Sequence, residues 1–300
     1  EWSFVSPIKY PDGSHEISVL STDAAGNTSE KSQTIIVDTQ IELTSQLDPL
    51  SDSGDKGDRV TNNQTPTIKG TGTAGDTVTL TINGNSYSSI IGEDGEWSIT
   101  VSDTLPHSPD QAYEYKVVVV DVAGNTTSRT DRIFIDTETK VSGGLDSTSD
   151  SAAIDGITND NTPKFSGEAE PSAIVVLEID GKTFETVADE RGRWSIQLNT
   201  ALSDNDYPYT ITATDKAGNT HDISDVITVD TKTSVSGGLD PNSDSGSADG
   251  LTNINKPFFS GKGEIGSTVT VTINGKDYQG LVDENNNWKI QITDALPDDG

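Results

Sequence analysis

The sequence predicts an all-β chain made of several small sandwich domains, and three observations carry that prediction. Short Val, Ile and Thr runs alternate with clusters of Ser, Thr, Asp, Asn and Gly, a pattern of strands joined by turns rather than of disorder. Only 31% of the 300 residues are hydrophobic, too few for one large core and enough for several thin ones. No segment keeps a helical period.

The formal charge is −30, from 49 Asp and Glu against 19 Lys and Arg. Such a surface repels nucleic-acid phosphates and anionic lipid headgroups, which excludes nucleic-acid binding as a function class. The carboxylates also repel one another, a cost that a divalent cation among them would remove. Cysteine is absent, so neither disulfides nor thiolate-metal sites staple these domains, and calcium suits a thiol-free chain outside the cell. There is no run of about 18 apolar residues and no leader-like N-terminus, so no membrane insertion is expected within these residues.

Four motifs share one period. Trp2, Trp97, Trp194 and Trp288 stand 95, 97 and 94 residues apart. The string Asp-x-Ala-Gly-Asn starts at Asp23, Asp121 and Asp215, and an Asp-Thr pair closes a strand at Asp38, Asp136 and Asp230. An acidic loop ending before a proline starts at Asp48, Asp146 and Asp240. A period near 95 residues is one immunoglobulin-sized sandwich rather than a solenoid turn. The expected organisation is therefore tandem immunoglobulin-like β-sandwich domains in a head-to-tail rod. Boundaries placed after each Asp-Thr give complete repeats at 40–137 and 138–231. Residues 1–39 then carry the closing strands of a preceding repeat and 232–300 the opening strands of a following one, as in a window cut from a longer array.

Within a repeat the elements follow in order. After the proline, Pro66-Thr-Ile-Lys-Gly alternates into a strand, matched by Pro163-Lys-Phe-Ser-Gly and Pro257-Phe-Phe-Ser-Gly. Next comes a hairpin at Asn83-Gly84, matched by Asp180-Gly181 and Asn274-Gly275. Turns at Asp94-Gly95, Arg191-Gly192 and Asn285-Asn286 lead into the tryptophan strands. Two long strands around Asp-x-Ala-Gly-Asn close the domain, about seven strands in all. Trp97, Trp194 and Trp288 each precede an Ile by two positions, which favours core packing over a sugar-stacking platform.

The acidic loop places Asp52, Asp58 and Asn62 at spacings near those of Asp150, Asp155 and Asn159, and of Asp244, Asp249 and Asn253. Calcium takes six to eight oxygens, and a flexible loop of carboxylates, amides and carbonyls supplies that kind of donor. The loop matches neither the EF-hand nor the nine-residue β-roll pattern. Two readings stand side by side: calcium ligands, or turn formers bonding their own backbone. A second site follows from sandwich topology, because the closing strand of one repeat ends at the pole that meets the next repeat's Asp-x-Ala-Gly-Asn turn. Asp136 is expected to approach Asp215, and Asp38 to approach Asp121, with Asp230 open to the same role. There too, the Asp that opens the motif is equally a turn former.

No catalytic set emerges. His15, His107 and His221 share no repeat slot, cysteine is absent, and every conspicuous polar motif recurs, whereas an active site is usually unique within a chain. The expectation is that the chain is not an enzyme. The alternatives are an array of carbohydrate-binding modules, with Tyr87 and Tyr278 presenting rings after the hairpins, or a purely structural spacer. Phe184 in the same slot speaks for packing.

The strings Gly72-Thr-Ala-Gly-Asp-Thr-Val, then Asn-Gly, then Trp-Ser-Ile, then Asp-x-Ala-Gly-Asn-Thr, then Val-Asp-Thr resemble the bacterial Ig-like repeats of giant adhesins exported by type I secretion. The likeness covers the entire chain. It implies a secreted rod on the bacterial cell surface that folds on meeting calcium, with Ca2+ sites within and between repeats and a part in virulence. It also implies host-cell surface glycans as partners, alongside neighbouring repeats of the same chain. Departures are Asp76 set opposite Ser172 and Ser267, Glu170-Pro171 set opposite Ala74-Gly75, and an acidic loop one residue longer between Asp52 and Asp58.

Overall fold

Alternation at period two decides which face of a strand leaves water, and the computed structural model shows it in strands such as Thr77–Ile82, Glu96–Thr100, Ile174–Ile179 and Arg193–Gln197. It describes residues 3–151 and 153–297, so Trp2 lies outside the described residues. Every regular element among them is a β-strand. In the first segment β1 (Gly13–Thr22) and β2 (Thr28–Val37) form an antiparallel hairpin around the Asp23 turn. Residues 40–137 hold β3 (Gln46–Leu47), β4 (Val60–Thr61), β5 (Thr67–Thr71), β6 (Thr77–Ile82), β7 (Asn85–Ile90), β8 (Glu96–Thr100), β9 (Ser108–Val120) and β10 (Thr126–Ile135). Residues 138–231 hold β11 (Val141–Leu145), β12 (Ile157–Thr158), β13 (Lys164–Ala169), β14 (Ile174–Ile179), β15 (Lys182–Val187), β16 (Arg193–Gln197), β17 (Asn205–Thr214) and β18 (Thr220–Val229). The last segment holds β19 (Val235–Leu239), β20 (Phe258–Gly263), β21 (Thr268–Ile273), β22 (Lys276–Leu281) and β23 (Asn287–Gln291).

The two complete repeats use one topology. Sheets ordered β3-β5-β8 and β4-β10-β9-β6-β7 recur as β11-β13-β16 and β12-β18-β17-β14-β15. Each repeat therefore has eight strands rather than seven. The additional one is the two-residue β4 or β12, too short to show a period, which runs parallel to the end of the closing strand: Val60 and Thr61 face Phe134 and Ile135, and Ile157 and Thr158 face Thr228 and Val229. Buried Thr61 and Thr158 anchor it by donating hydroxyl hydrogen bonds to the Ser51 and Ser149 carbonyls. The hairpin turns hold both central residues at positive φ, 48° and 78° at Asn83-Gly84 and 52° and 68° at Asp180-Gly181. That is the turn whose twist matches the flanking strands.

The chain divides into two compact units, one of residues 1–146, 164–198 and 208–226, the other of 147–163, 199–207 and 227–300. The first contains a core of Ile68, Leu80, Trp97, Val117 and Ile133, all buried. In the second, Trp288 packs with Val282 and Ile290 against half-buried Phe259 and Val271. Trp97, Trp194 and Trp288 are 4%, 4% and 5% exposed, so none offers a face for stacking. The hydroxyls of Tyr87 and Tyr278 donate to the carboxylates of Asp103 (2.6 Å) and Asp294 (2.8 Å) on their own domains.

The first strand of each repeat differs for a steric reason. Gly143 and Gly237, at φ 126° and 148°, let β11 and β19 run five residues beside the tryptophan. A Cβ at Gly143 would stand 2.2 Å from the Ser166 carbonyl oxygen and 2.8 Å from the Trp194 ring. There the indole N–H of Trp194 donates to the Ser142 carbonyl (3.2 Å), as Trp288 does to Ser236 (3.0 Å). Ser45 holds that slot in the other repeat; β3 shrinks to two residues, and the Trp97 indole nitrogen is buried without a partner.

Candidate metal centres

The three acidic loops share most of their wiring. Asp58, Asp155 and Asp249 each accept, on Oδ1, the amide two residues on, from Val60 (2.8 Å), Ile157 (3.1 Å) and Leu251 (3.1 Å). These are Asx turns. Asn62, Asn159 and Asn253 enter through their backbone amides, which donate to the hydroxyls of Ser53, Ser151 and Ser245 at 2.8, 2.9 and 2.8 Å. Six of the nine expected loop residues thus have local work in shaping the turn.

Asp52, Asp150 and Asp244 are different. Each accepts one glycine amide on Oδ2, from Gly57 (2.6 Å), Gly156 (3.3 Å) and Gly250 (3.2 Å). In each the other oxygen, Oδ1, is buried without a hydrogen-bond partner among the described residues. A carboxylate oxygen removed from water and left unpaired costs several kcal/mol, so the same unpaired oxygen at three equivalent positions is a place that could hold a cation. Carboxylate oxygen is the donor type a hard ion such as calcium takes; in the first loop the Lys56 ammonium also donates to the Asp52 carbonyl. In the longer loop, Arg59 takes the left-handed slot (φ 69°) that Gly156 and Gly250 hold elsewhere. Its guanidinium pairs with Asp131 (3.1 Å). Burial pushes the Asp58 carboxyl up, the Val60 amide opposes that shift, and Asp52 and Asp55 add to it.

The closing aspartates lie at the same pole as these loops. The Asp136 and Asp230 amides donate to the Thr61 and Thr158 carbonyls (2.9 and 2.8 Å) at the loop ends. Asp136 then meets the following repeat: the Asn219 side-chain amide donates to its carbonyl (2.9 Å), as Asn125 does to the carbonyl of Asp38 (3.0 Å). Carboxylate oxygens of Asp136, Glu170 and Asp215 all lie within 4.8 Å of one another. Asp215 and Asp121 also shape their turns, each accepting the backbone and side-chain N–H groups of Asn219 or Asn125 at 2.6 to 2.8 Å. The turn-forming reading of these two aspartates is therefore shown. Asp230 accepts the Lys232 amide (3.2 Å), and residues 232–300 contain no Asp-x-Ala-Gly-Asn turn to face it.

Glu170 joins the Asp136 and Asp215 cluster, and Asp76 lies near enough to Asp121 and Asp38 to feel their charge; neither was among the expected ligands. Asp76 is 3% exposed, its Oδ2 has no partner among the described residues, and its carboxyl is pushed up by burial and then by Asp121 and Asp38. Glu170 is pushed up by burial, then by Asp136 and Asp215. Asp136 is likewise raised, first by burial. Asp121 is lowered, chiefly by the Asn125 side chain. The turn register corrects the expected correspondence. Asp76 aligns with Ala173 and Ser267, because the Ile91, Ala188 and Val282 amides donate to the carbonyls of those three residues. Ser172, at φ 69°, aligns with Gly75 instead, and Glu170 aligns with Thr73 and Glu264.

The bacterial Ig-like domain family matches the chain over residues 1–39, 40–137, 138–231 and 232–300. Among solved structures, the chain is similar to a Ca2+-stabilized adhesin with which an Antarctic bacterium binds ice: identity is 29% over 93% of this chain and 73% of that one, with a TM-score of 0.35. It is also similar to a 1.5-MDa bacterial ice-binding adhesin, at 25% identity over 83% and 87% of the two chains and a TM-score of 0.34. A tetra-tandem repeat from the extending region of a large adhesion protein is 20% identical over 93% and 72%, with a TM-score of 0.33. No curated protein matches the chain. With its family match extending over all four segments, the chain belongs to the bacterial Ig-like domain family.

Proposed function

We propose that the chain is a calcium-stabilised repeat array of a secreted bacterial surface adhesin that mediates attachment to host cells. Its repeats run from 40 to 137 and from 138 to 231, with partial repeats on either side. The observation that carries the calcium half is the buried, unpaired Oδ1 of Asp52, Asp150 and Asp244. Those three aspartates would hold an ion within each repeat, and Asp136, Glu170 and Asp215, like Asp38, Asp76 and Asp121, would hold one at each joint. Bound calcium supplies the positive charge that these carboxylates lack. The adhesive half rests on the motif resemblance; among such adhesins, the Asp-Ser-Gly acidic loop is similar to that of the giant non-fimbrial adhesin of Salmonella. On this reading the chain is a non-catalytic spacer, exported by a type I system, and contact with host glycans belongs to many weak sites or to special repeats.

Thermal unfolding of the intact chain in millimolar calcium and in chelator tests this reading. Binding at about 100 times Kd stabilises the native state by about 2.7 kcal/mol, and for a domain of about 100 residues each kcal/mol moves Tm by about 4–8 °C. A rise of at least about 10 °C in calcium is expected, reduced by Asp52→Ala and by Asp150→Ala. Equal melting temperatures in calcium and chelator would remove calcium from the proposal and leave the sandwich array in place.

A further inference from the structure

The acidic loop of residues 40–137 does more than close on itself. The Ser53 hydroxyl, which accepts the Asn62 amide, donates to the carbonyl of Ala217 (2.5 Å), and the Asp55 amide donates to the carbonyl of Lys216 (2.9 Å). Between them Gly54, at φ 58°, lies so close to the turn that a Cβ would stand 2.1 Å from the Lys216 oxygen and 2.6 Å from the Gly218 nitrogen. Under this loop Ala217 is fully buried. Lys216, Ala217 and Gly218 are the centre of the Asp-x-Ala-Gly-Asn turn of the next repeat.

The chain contains its own comparison. Ala123 occupies the Ala217 position in the turn that starts at Asp121, yet it is exposed, and no acidic loop covers it among the described residues. Ser151 and Ser245 occupy the Ser53 position. Among the described residues no such turn lies against them, and their hydroxyls donate to carbonyls of their own loops, at 3.5 and 3.4 Å. We infer that the Asp-x-Ala-Gly-Asn turn is a docking surface for the Ser53-Gly54-Asp55 segment of the preceding repeat's acidic loop, a segment that the loops at Ser151 (Ser-Ala-Ala) and Ser245 (Ser-Gly-Ser) do not repeat in full. Ala and Gly in the turn, and Gly in the loop, leave room for two backbones to meet. The exposed turn around Ala123 is an acceptor for the same segment of another repeat of this kind. Loop and turn meet through a hydroxyl, an amide and two carbonyls, with no carboxylate oxygen between these atoms, so this joint can fail or hold apart from the calcium reading.

The absence of cysteine allows spin labels at Ser88→Cys and Thr183→Cys in the intact chain, both exposed and on either side of this joint. Pulsed dipolar spectroscopy in saturating calcium should give a narrow distance distribution that Gly54→Ala broadens at least twofold. Gly57→Ala is the control, because it strains the same loop at φ 86° with nothing within 4 Å of its Cβ, and the distribution should stay narrow. A narrow distribution in Gly54→Ala overturns the inference. Equal broadening in both variants also overturns it, since loop strain alone would then account for the effect. Near-ultraviolet circular dichroism, unchanged in both variants, shows that the sandwiches remain folded.

Discussion

Residues 40–137 and 138–231 fold into the same sheets in the same order, yet they seat their first strand and complete their joint with different side chains. Where one has Ser45, the other has Gly143, and that single Cβ separates a two-residue strand with an unpaired indole from a five-residue strand with a paired one. At the joint the third carboxylate comes from Asp76 in one repeat and from Glu170, three turn positions earlier by register, in the other. The sandwich tolerates loss of an edge pairing because its core lies on the facing strands. Carboxylate oxygens of three residues lie within 4.8 Å of one another at the second joint, whereas at the first Asp121 and Asp38 act on buried Asp76 as neighbouring like charges.

The sharpest way to break this comparison is Gly143→Ala, which puts a methyl group against the Ser166 carbonyl and the Trp194 ring at a φ that L-residues rarely adopt. A loss of about 3 kcal/mol is expected, readable as a lower transition for residues 138–231 in calorimetry of the intact chain. Next comes Glu170→Thr, which should weaken calcium at that joint about tenfold in titration calorimetry, roughly 1.4 kcal/mol. Adding Ala173→Asp, which copies the arrangement around Asp76, should restore most of the affinity; no recovery would mean that the two turns are not equivalent. The reciprocal of the first change, Ser45→Gly, should stabilise residues 40–137 by about 1 kcal/mol as the Trp97 N–H gains an acceptor. An unchanged transition would show that β3 is short for another reason.

The smallest effect is in pH dependence without calcium. Asp76, Asp136 and Glu170 are raised by burial, so their contribution to stability is present below the ordinary carboxylate range and is lost as pH rises through their raised values. Asp189 and Asp204, held at about 2 by Arg193 and Lys232 respectively, act in the opposite sense: their contribution is present above the ordinary range and is lost as pH falls. In chelator, acidification from about pH 7 to about pH 5 should therefore raise the melting temperature slightly. In calcium it should lower it, because protons then compete for the same oxygens. The same sign in both media would argue against a joint ion.

The sandwich was legible because its signals are local: Asn-Gly at a hairpin, a tryptophan two residues before an isoleucine, a proline opening a strand. β4 and β12 were not, because two residues show no period and their pairing partners lie about 70 residues away. In the acidic loops the residue types were legible but the division of labour was not. Asp58 and Asp52 look alike in sequence, and only the fold gives one an Asx turn and leaves the other with an unpaired oxygen. Glu170 has a charged counterpart in Glu264 but an uncharged one in Thr73, so its signal recurs in only two of the three turns. The Ser53 contact with Ala217 joins residues 164 positions apart and has no sequence signature beyond the recurrence of both motifs.

The parallel pairing of β4 with the end of β10 bears on how a repeat withstands tension. A pull that enters ahead of residue 40 and leaves after Thr137 draws Val60-Thr61 and Phe134-Ile135 in opposite directions along their common axis. Their backbone hydrogen bonds are then loaded in shear and must yield together, whereas a hairpin pulled from its open end peels one bond at a time. Survival under such a force is set by the rate of unfolding rather than by equilibrium stability. Once β3 has let go of β5, a two-residue strand that adds little to the core thereby stands as the next contact a stretched repeat must break.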